Sequence, residues 1–289
     1  PYTTLFRSYQ PVPGERFDLI VTNPPYVISP PTGERLVYRE TGFSGDDLMR
    51  RVVTGAPAHL DDGGTLVVLG NWAITDRPWE ERLADWIGPT GCDALVLQRE
   101  RMDVFSYIEL WLADAGLVGS PGYDDRYTEW LDYFAASGIT AVGLGWLALR
   151  NSGRGRPEVR MEEWPHLVHQ PVGSALAGFF DAVDDARLGD PELLGSRWRR
   201  HDGLVQETLG EPGAADPQHI VLRQHYGLGR ALEPGTALAA VVGACDGELP
   251  LGALVDAVAS LTGAEPARLR TEVLAAVRRL VAEEFLQRA

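Results

Sequence analysis

The segment with the clearest chemical meaning is a four-residue turn, Asn23 to Tyr26, which directly follows the short apolar run 17–22. An amide or exocyclic amino nitrogen is a poor nucleophile, because its lone pair is delocalised into the adjacent π-system. The side-chain carbonyl of Asn23 can accept one N–H of such a nitrogen, and the backbone carbonyl of Pro24 can accept another. Two acceptors placed in this way stabilise a nitrogen that moves toward tetrahedral geometry, as it does when it attacks a methyl donor.

The remaining features of the turn suit the same reaction. Tyr26 offers a flat face on which the carrier of the nitrogen can stack, and the prolines bring no competing N–H. Holding donor and acceptor in line supplies up to roughly 7–11 kcal/mol of the barrier, with no need for a metal or an acid–base pair. The sequence therefore predicts that Asn23, Pro24, Pro25 and Tyr26 are the catalytic residues of methyl transfer to a planar nitrogen.

The elements around this turn indicate an α/β protein. We predict strands at 17–22, 65–70, 94–98 and 141–150, and helices at 44–59, 79–87, 107–115 and 127–137. The first strand reads as buried on both faces, because its apolar run is almost continuous. The second strand is preceded by a turn at 61–64, and the fourth is expected to be antiparallel to the third. This alternation favours a mostly parallel, doubly wound sheet.

The strand and turn at 17–26 resemble the Asn-Pro-Pro-Tyr family of S-adenosyl-L-methionine-dependent methyltransferases. This family includes the release-factor glutamine methyltransferases and the amino-methylating DNA and RNA enzymes. The resemblance continues through Glu40-Thr-Gly-Phe-Ser-Gly-Asp46 and Leu60-Asp-Asp-Gly-Gly-Thr-Leu66, and it covers about residues 15–150. It implies a class I, Rossmann-like seven-stranded sheet of which this chain holds strands four to seven, with S-adenosyl-L-methionine as the methyl donor.

The resemblance also places the donor-binding elements before the turn, where residues 1–16 leave no room for them. The cofactor-binding residues are thus expected upstream of residue 9. The first eight residues look like a translated sequencing adapter, so the natural part is expected to start near Tyr9 as an N-terminally truncated fragment. We expect this fragment to bind the donor weakly or not at all, to be inactive, and to expose the unpaired edge of its first strand.

Two further places are candidates for substrate binding. Asn71 and Trp72 close the second predicted strand, at the edge where open sheets bind ligands, although ordinary loop packing is an alternative for Trp72. Tyr38, Arg39 and Glu40 lie in the loop after the turn, where a solvated loop is the alternative. We predict that Tyr38, Glu40, Asn71 and Trp72 contact the substrate.

Beyond the loop at 151–156 the composition changes, which predicts a partial catalytic domain at 9–170 and a mainly helical domain at 171–289. An apolar stripe at 251–261 and a last helix that begins at Pro266 suggest a winged-helix-like module, and 220–225 is a possible strand. Glutamates on the last helix offset its arginines, which argues against DNA binding. The module resembles the C-terminal regions that follow methyltransferase domains in actinobacterial proteins, and we expect it to dock a protein or to present substrate.

Three other patterns in this half are weaker. His166 and His169 have the spacing of metal ligands, but prolines flank them and no Cys or acidic cluster is near, so no metal site is predicted. Gly227-Leu-Gly229 lacks the third glycine of a phosphate-binding loop. The basic-aromatic cluster 197–201 has an RNA or an acidic protein surface as possible partners, but a solvated helix end is the favoured interpretation.

The amino-acid composition limits the kinds of molecule that the protein is expected to bind. The net charge of −15 opposes non-specific binding to nucleic acid, and all 26 basic residues are arginine, as in GC-rich genomes. Cys92 and Cys245 are far apart, which argues against disulfides and zinc and fits the cytoplasm. No apolar run is long enough to cross a membrane.

Taken together, the residues predict an enzyme that methylates a planar nitrogen, with a protein glutamine favoured and an RNA or DNA base close behind. The hypothesis from another class is a non-catalytic scaffold with a methyltransferase fold. Retention of the whole turn from Asn23 to Tyr26 counts against that scaffold, which has no use for it.

Overall fold

A computed structural model describes residues 9–31, 45–212 and 217–289. The chain forms two compact units, Pro1–Pro165 and His166–Ala289, which are described separately here. Within the described residues, no helix is both long enough and apolar enough to cross a lipid bilayer. The predicted domain limits at 9–170 and 171–289 stay a prediction.

The first unit contains one mixed five-stranded sheet. Its strands are β1 (Phe17–Thr22), β2 (Leu60–Ile74), β3 (Asp93–Asp103), β4 (Ala141–Arg150) and β5 (Val159–Glu163), in the order β1-β2-β4-β3-β5. β1 pairs with β2 and β3 pairs with β5 in parallel, whereas β4 is antiparallel to both of its neighbours. The α/β class and the antiparallel β3–β4 pair are confirmed. Four of the five strands share one direction, as expected of a mostly parallel sheet, and β4 runs through the middle in the opposite direction.

Helices cover both faces of this sheet. They are α1 (Asp47–Gly55), α2 (Trp79–Ile87), α3 (Val104–Asp114) and α4 (Tyr123–Ala136), and 3₁₀ turns follow α1 and α2. Successive residues of β2 point to opposite faces, so Trp72 and Ile74 pack in the core with α1 and α2, while Ala73 packs in the core with α3 and α4. The result is a three-layer arrangement, in which Val27 and Ile28, shortly after β1, pack against the layer of α3 and α4.

β2 is much longer than the predicted strand at 65–70. Its pairing with β4 is continuous from Thr65 to Ile74, so the strand does not stop at residue 70. The predicted turn at 61–64 is a bulge within the strand: Phe17 pairs with Leu60, but Leu19 pairs with Thr65. Asn71 and Trp72 therefore lie inside a strand and not at its end, which corrects their predicted position.

β1 is an edge strand of the described sheet, since it pairs with β2 on one side only. The side chains of Leu19 and Val21 are 59% and 69% exposed. The predicted boundaries of β1 are confirmed. Its expected burial on both faces is wrong, because neither of these side chains has a covering layer in the described residues.

The second unit combines five helices with two small sheets among its described residues. The helices are α5 (Gly173–Ala186), α6 (Asp190–Gly195), α7 (Thr236–Ala244), α8 (Leu251–Thr262) and α9 (Pro266–Ala282). The strands are β6 (Arg197–Arg200), β7 (Leu204–Leu209), β8 (His219–Gln224), β9 (Ala231–Leu232), β10 (Asp246–Pro250) and β11 (Leu286–Arg288), in sheets ordered β10-β6-β11 and β7-β8-β9. The predicted helices α8 and α9 and the strand β8 are confirmed. The winged-helix assignment stays a prediction.

The sequence suggested that the basic-aromatic cluster 197–201 is a solvated helix end, but the structure shows a strand there. Arg197–Arg200 forms the central strand of the first small sheet, with antiparallel partners on both sides. Trp198 is fully buried, and its Nε1 donates to the Leu193 carbonyl at 3.1 Å. Its burial takes the aromatic member out of the surface that a partner would contact.

Candidate functional site

The turn Asn23 to Tyr26 follows the carboxyl end of β1. Asn23 is exposed, Pro24 is buried, and Pro25 and Tyr26 are half-buried. Within the described part of the chain, no hydrogen bond occupies the Asn23 side chain or the Pro24 carbonyl. Among the residues at 9–31, 45–212 and 217–289, neither predicted acceptor therefore has a hydrogen-bond partner, and Asn23 is open to solvent.

Tyr26 is oriented by the core beneath it. Its ring meets Trp111 of α3 edge-on, with centroids 6.3 Å apart and planes at 72°. The half-buried tyrosine thus packs against the apolar cluster that α3 and α4 form. An aromatic contact of this geometry contributes about 0.5–1.5 kcal/mol beyond its buried area, enough to favour one ring orientation.

A buried hydroxyl on α3 holds the segment that follows the turn. The Tyr107 hydroxyl accepts a hydrogen bond from the Ile28 amide at 3.0 Å and another from Asn71 Nδ2 at 2.8 Å. Tyr107 is fully buried, and desolvation raises the pKa of its hydroxyl well above the ordinary value. The neutral hydroxyl therefore ties the chain just past the turn to the middle of β2.

The structure changes the roles predicted for Asn71 and Trp72. Asn71 is 0% and Trp72 1% exposed, so neither has surface with which to touch a substrate. Trp72 Nε1 donates to Gln98 Oε1 at 2.9 Å, and the ring stacks on Trp79 with centroids 5.7 Å apart. Trp72 is a core residue, and Asn71 reaches the turn only through Tyr107.

Of the other predicted substrate contacts, Tyr38 and Glu40, together with Arg39, lie outside the described residues. The chain resumes at Gly45, whose amide donates to the Tyr133 hydroxyl of α4 at 2.7 Å. The next residue, Asp46, accepts from the Ala73 amide at 2.7 Å and pairs with Arg82 at 3.0 Å. Residues 45 and 46 are thus attached to α4, β2 and α2.

Asp46 connects two elements of the first unit. Its carboxylate accepts from the Ala73 amide of β2 and from Arg82 of α2. Burial raises the pKa of Asp46, while the Arg82 charge and the Ala73 amide act in the opposite direction. Breaking such a shielded pair leaves one buried charge uncompensated, which costs about 3–5 kcal/mol.

Two curated relatives are similar to part of the chain. The release factor glutamine methyltransferase of Xylella fastidiosa (strain Temecula1) is 40% identical over 77 residues, which are 22% of this chain and 26% of the relative. The ribosomal protein uL3 glutamine methyltransferase of Bradyrhizobium diazoefficiens is 38% identical over 96 residues, 29% of this chain and 30% of the relative. The matched part of the chain is similar to these two methyltransferases.

That relationship is partial. The chain spans only about a quarter to a third of the length of these relatives, by the shares of 26% and 30%. No protein-family model matches the chain. The mixed sheet with helices on both faces is consistent with a methyltransferase-like fold, while the predicted seven-stranded arrangement stays a prediction.

Proposed function

We propose that the protein transfers a methyl group from S-adenosyl-L-methionine to the side-chain amide nitrogen of a glutamine in another protein. The observation that carries this proposal is the pair of unoccupied acceptors, the exposed Asn23 side chain and the Pro24 carbonyl, at the end of β1. Both relatives are named glutamine methyltransferases, which supports this acceptor over a nucleobase. The net charge of −15 supports the same choice, because it opposes association with a polyanion.

The proposed chemistry needs little from the protein beyond placement. Asn23 Oδ1 and the Pro24 oxygen accept the two N–H groups of the substrate amide, which turns its lone pair out of conjugation. Tyr26 stacks on the amide plane and limits its rotation. S-adenosyl-L-methionine supplies the methyl group when bound; the bond from sulfur to methyl breaks as the bond to nitrogen forms. The proton that nitrogen then loses passes to water, which the exposure of Asn23 admits.

The test uses the full-length gene product that carries this chain, with isotopically labelled donor. Purified release factor and purified ribosomal RNA are offered in parallel, and labelled glutamine in the release factor is the expected result. Label in RNA alone would refute the glutamine assignment. Donor binding without transfer to either would favour the scaffold hypothesis.

Within the same assay, Asn23→Ala is expected to lower kcat by about 10²–10³-fold, the range found for removal of one positioned transition-state partner. Donor affinity, measured by calorimetry, is expected to stay within twofold of the wild type. Gln10→Ala is the matched control, since it removes an exposed amide elsewhere in the same unit. Equal turnover of the Asn23→Ala and Gln10→Ala variants would eliminate the role given to Asn23.

A further inference from the structure

The second unit contains a polar cavity that the proposed methyl transfer does not use. Its volume is about 390 Å³, within the usual range for small-molecule sites. It lies between the start of α5, the residues after β6 and β8, and the connection from α9 to β11. The side chains that give it chemical character are His169, Ser174, His201, His225, Tyr226 and Glu284.

Glu284 is held at the end of helix α9. Its backbone is left-handed, with φ at 61°, and no other non-glycine residue in the described ranges has a positive φ. The Glu284 amide donates to the Val281 carbonyl at 2.9 Å and the Phe285 amide donates to the Leu280 carbonyl at 2.8 Å, so this conformation closes the helix. Gly178 of α5 leaves room for the side chain, because a Cβ at that position would meet Glu284 Oε1. The helix end and the glycine thus place this carboxyl at the cavity wall.

The Glu284 carboxyl lacks a full set of partners. Within the described residues, no hydrogen bond to either carboxyl oxygen is present. Burial raises its pKa to about 7, with the Asp181 charge adding to the rise and the Arg230 charge opposing it. A carboxyl in this condition gains from a ligand that brings a positive charge and N–H donors.

Two stacked aromatic rings form a further part of the cavity lining. The rings of His201 and Tyr226 stack with centroids 3.4 Å apart, and the Tyr226 hydroxyl donates to the Glu284 backbone carbonyl. His201 Nδ1 accepts from the Gly203 amide at 3.2 Å, so its proton resides on Nε2, and burial lowers the pKa of its ring. A neutral His201 thus leaves a flat surface and one N–H donor suited to a carbonyl oxygen.

The surroundings of the cavity are more acidic than basic. No Arg or Lys side chain lines the cavity among the described residues. An adjoining cleft of about 240 Å³ shares Glu284 and His201 and adds Asp181 and Asp185. Arg288 in that cleft pairs with Asp185 at 3.5 Å, and the Arg230 charge also acts on Glu284, so the three carboxyls Glu284, Asp181 and Asp185 outnumber these two arginines. An anion is therefore a poor fit for the cavity, and a cation is a good one.

We propose that this cavity is a binding site for a guanidinium group attached to a carbonyl-bearing chain, that is, an arginine-like ligand. Glu284 accepts two parallel N–H bonds from the planar cation, His201 Nε2 donates to the carbonyl, and the rings flank the guanidinium. A guanidinium matches two free carboxylate oxygens better than an ammonium does, because its N–H groups form a planar fork. No group of three metal-ligating side chains lies close enough together in the described chain to favour a metal ion.

The test is calorimetric titration of the full chain with N-acetyl-arginine amide at pH 8. The lysine and citrulline equivalents replace the guanidinium with an ammonium and with an uncharged isostere. We expect binding of the arginine compound, at least fivefold weaker binding of the lysine compound, and none of the citrulline compound. Free arginine and a short arginine-containing peptide are separate arms that distinguish a metabolite from a protein segment as the source of the group.

Glu284→Gln is expected to weaken binding at least tenfold, whereas Glu248→Gln, an exposed glutamate in the same unit, is expected to leave it unchanged. Affinity should fall about tenfold from pH 8 to pH 6 as Glu284 protonates. The charged or titratable groups facing Glu284 are Asp181, Asp185, His169, His201, His225, Tyr226, Arg230 and Arg288. Absence of binding at 10 mM ligand, about the weakest useful affinity for a small ligand, would overturn the proposal.

A measurement on the unaltered chain guards against a variant that fails to fold. Titration followed by NMR of the histidine rings is expected to shift the signals of His169, His201 and His225. His59 and His219 lie away from the cavity and are expected to keep their positions. Shifts confined to His59 or His219, or equal binding by the wild type and Glu284→Gln, would also overturn the proposal. None of these outcomes depends on methyl transfer.

Discussion

Among single residues, Tyr107 most directly controls how the Asn23 turn is held. Tyr107→Phe leaves the Ile28 amide and Asn71 Nδ2 buried without their acceptor. Each lost partner costs about 1–3 kcal/mol, so we expect the free energy of unfolding to fall by about 2–5 kcal/mol. Urea unfolding measures it, with Tyr127→Phe as control, since the half-buried Tyr127 hydroxyl has no hydrogen bond in the described chain. An equal decrease in the free energy of unfolding for the two variants would show that the Tyr107 hydroxyl does not stabilise the segment after the turn.

The same residue shows where sequence reasoning stops at this scale. The turn from Asn23 to Tyr26 could be predicted as a site because the four residues are adjacent and their chemistry is local. The role of Tyr107 could not be predicted, since its hydrogen bond to Ile28 joins positions 79 apart in sequence. The available signal was a tyrosine on the buried face of α3. Asn71 was singled out for the right neighbourhood but the wrong role, because its burial depends on how far β2 continues.

At the scale of elements, the exposed edge of β1 makes a prediction about self-association. An apolar edge strand is a template for pairing with another chain, and a charged side chain on it opposes that pairing. We expect Val21→Lys to reduce the aggregated fraction of the chain in light scattering. Val118→Lys is the matched control, since Val118 is also 69% exposed but lies outside the strands. Equal aggregation of the two variants would show that the β1 edge is not the cause.

Elements differ in how far the sequence determines them. The limits of α2 and β4 were predicted to the residue, because each has a regular apolar pattern bounded by strong turn signals. The strand predicted at 65–70 was shorter than β2. Gly63 and Gly64 indicated a turn, whereas the structure accommodates them as a bulge within the strand. β6 was missed altogether, because four residues with one buried tryptophan carry no measurable period.

For the whole molecule, Glu284 links stability to pH. Burial raises the pKa of its carboxyl from the ordinary 4.5 to about 7. Between these two pH values the folded chain therefore binds more protons than the unfolded chain. The stabilisation that Glu284 contributes to the free energy of unfolding is fully present below pH 4.5 and is lost as the pH rises through about 7. It amounts to at most about 3 kcal/mol. Denaturant unfolding from pH 4 to 8 should show a smaller decline in Glu284→Gln than in the wild type, and parallel curves would contradict this.

The two units also differ in how much of them could be anticipated. In the first, long strands and helices alternate, and the sequence pattern was sufficient for the class and for the reversed direction of β4, although it did not predict β5. In the second, helices α8 and α9 were evident from their apolar stripes. Of the described strands in its two small sheets, only β8 was predicted, because the other strands are short and are defined mainly by partners elsewhere in the sequence.

The two tyrosine hydroxyls on α3 and α4 have a consequence for engineering. Tyr107 bonds the amide of Ile28 and Tyr133 bonds that of Gly45, so the segment between these residues is attached to the scaffold at both ends. Because main-chain amides make both attachments, each can be removed on its own from the tyrosine side, by Tyr107→Phe or by Tyr133→Phe, without altering a side chain of the turn at 23–26.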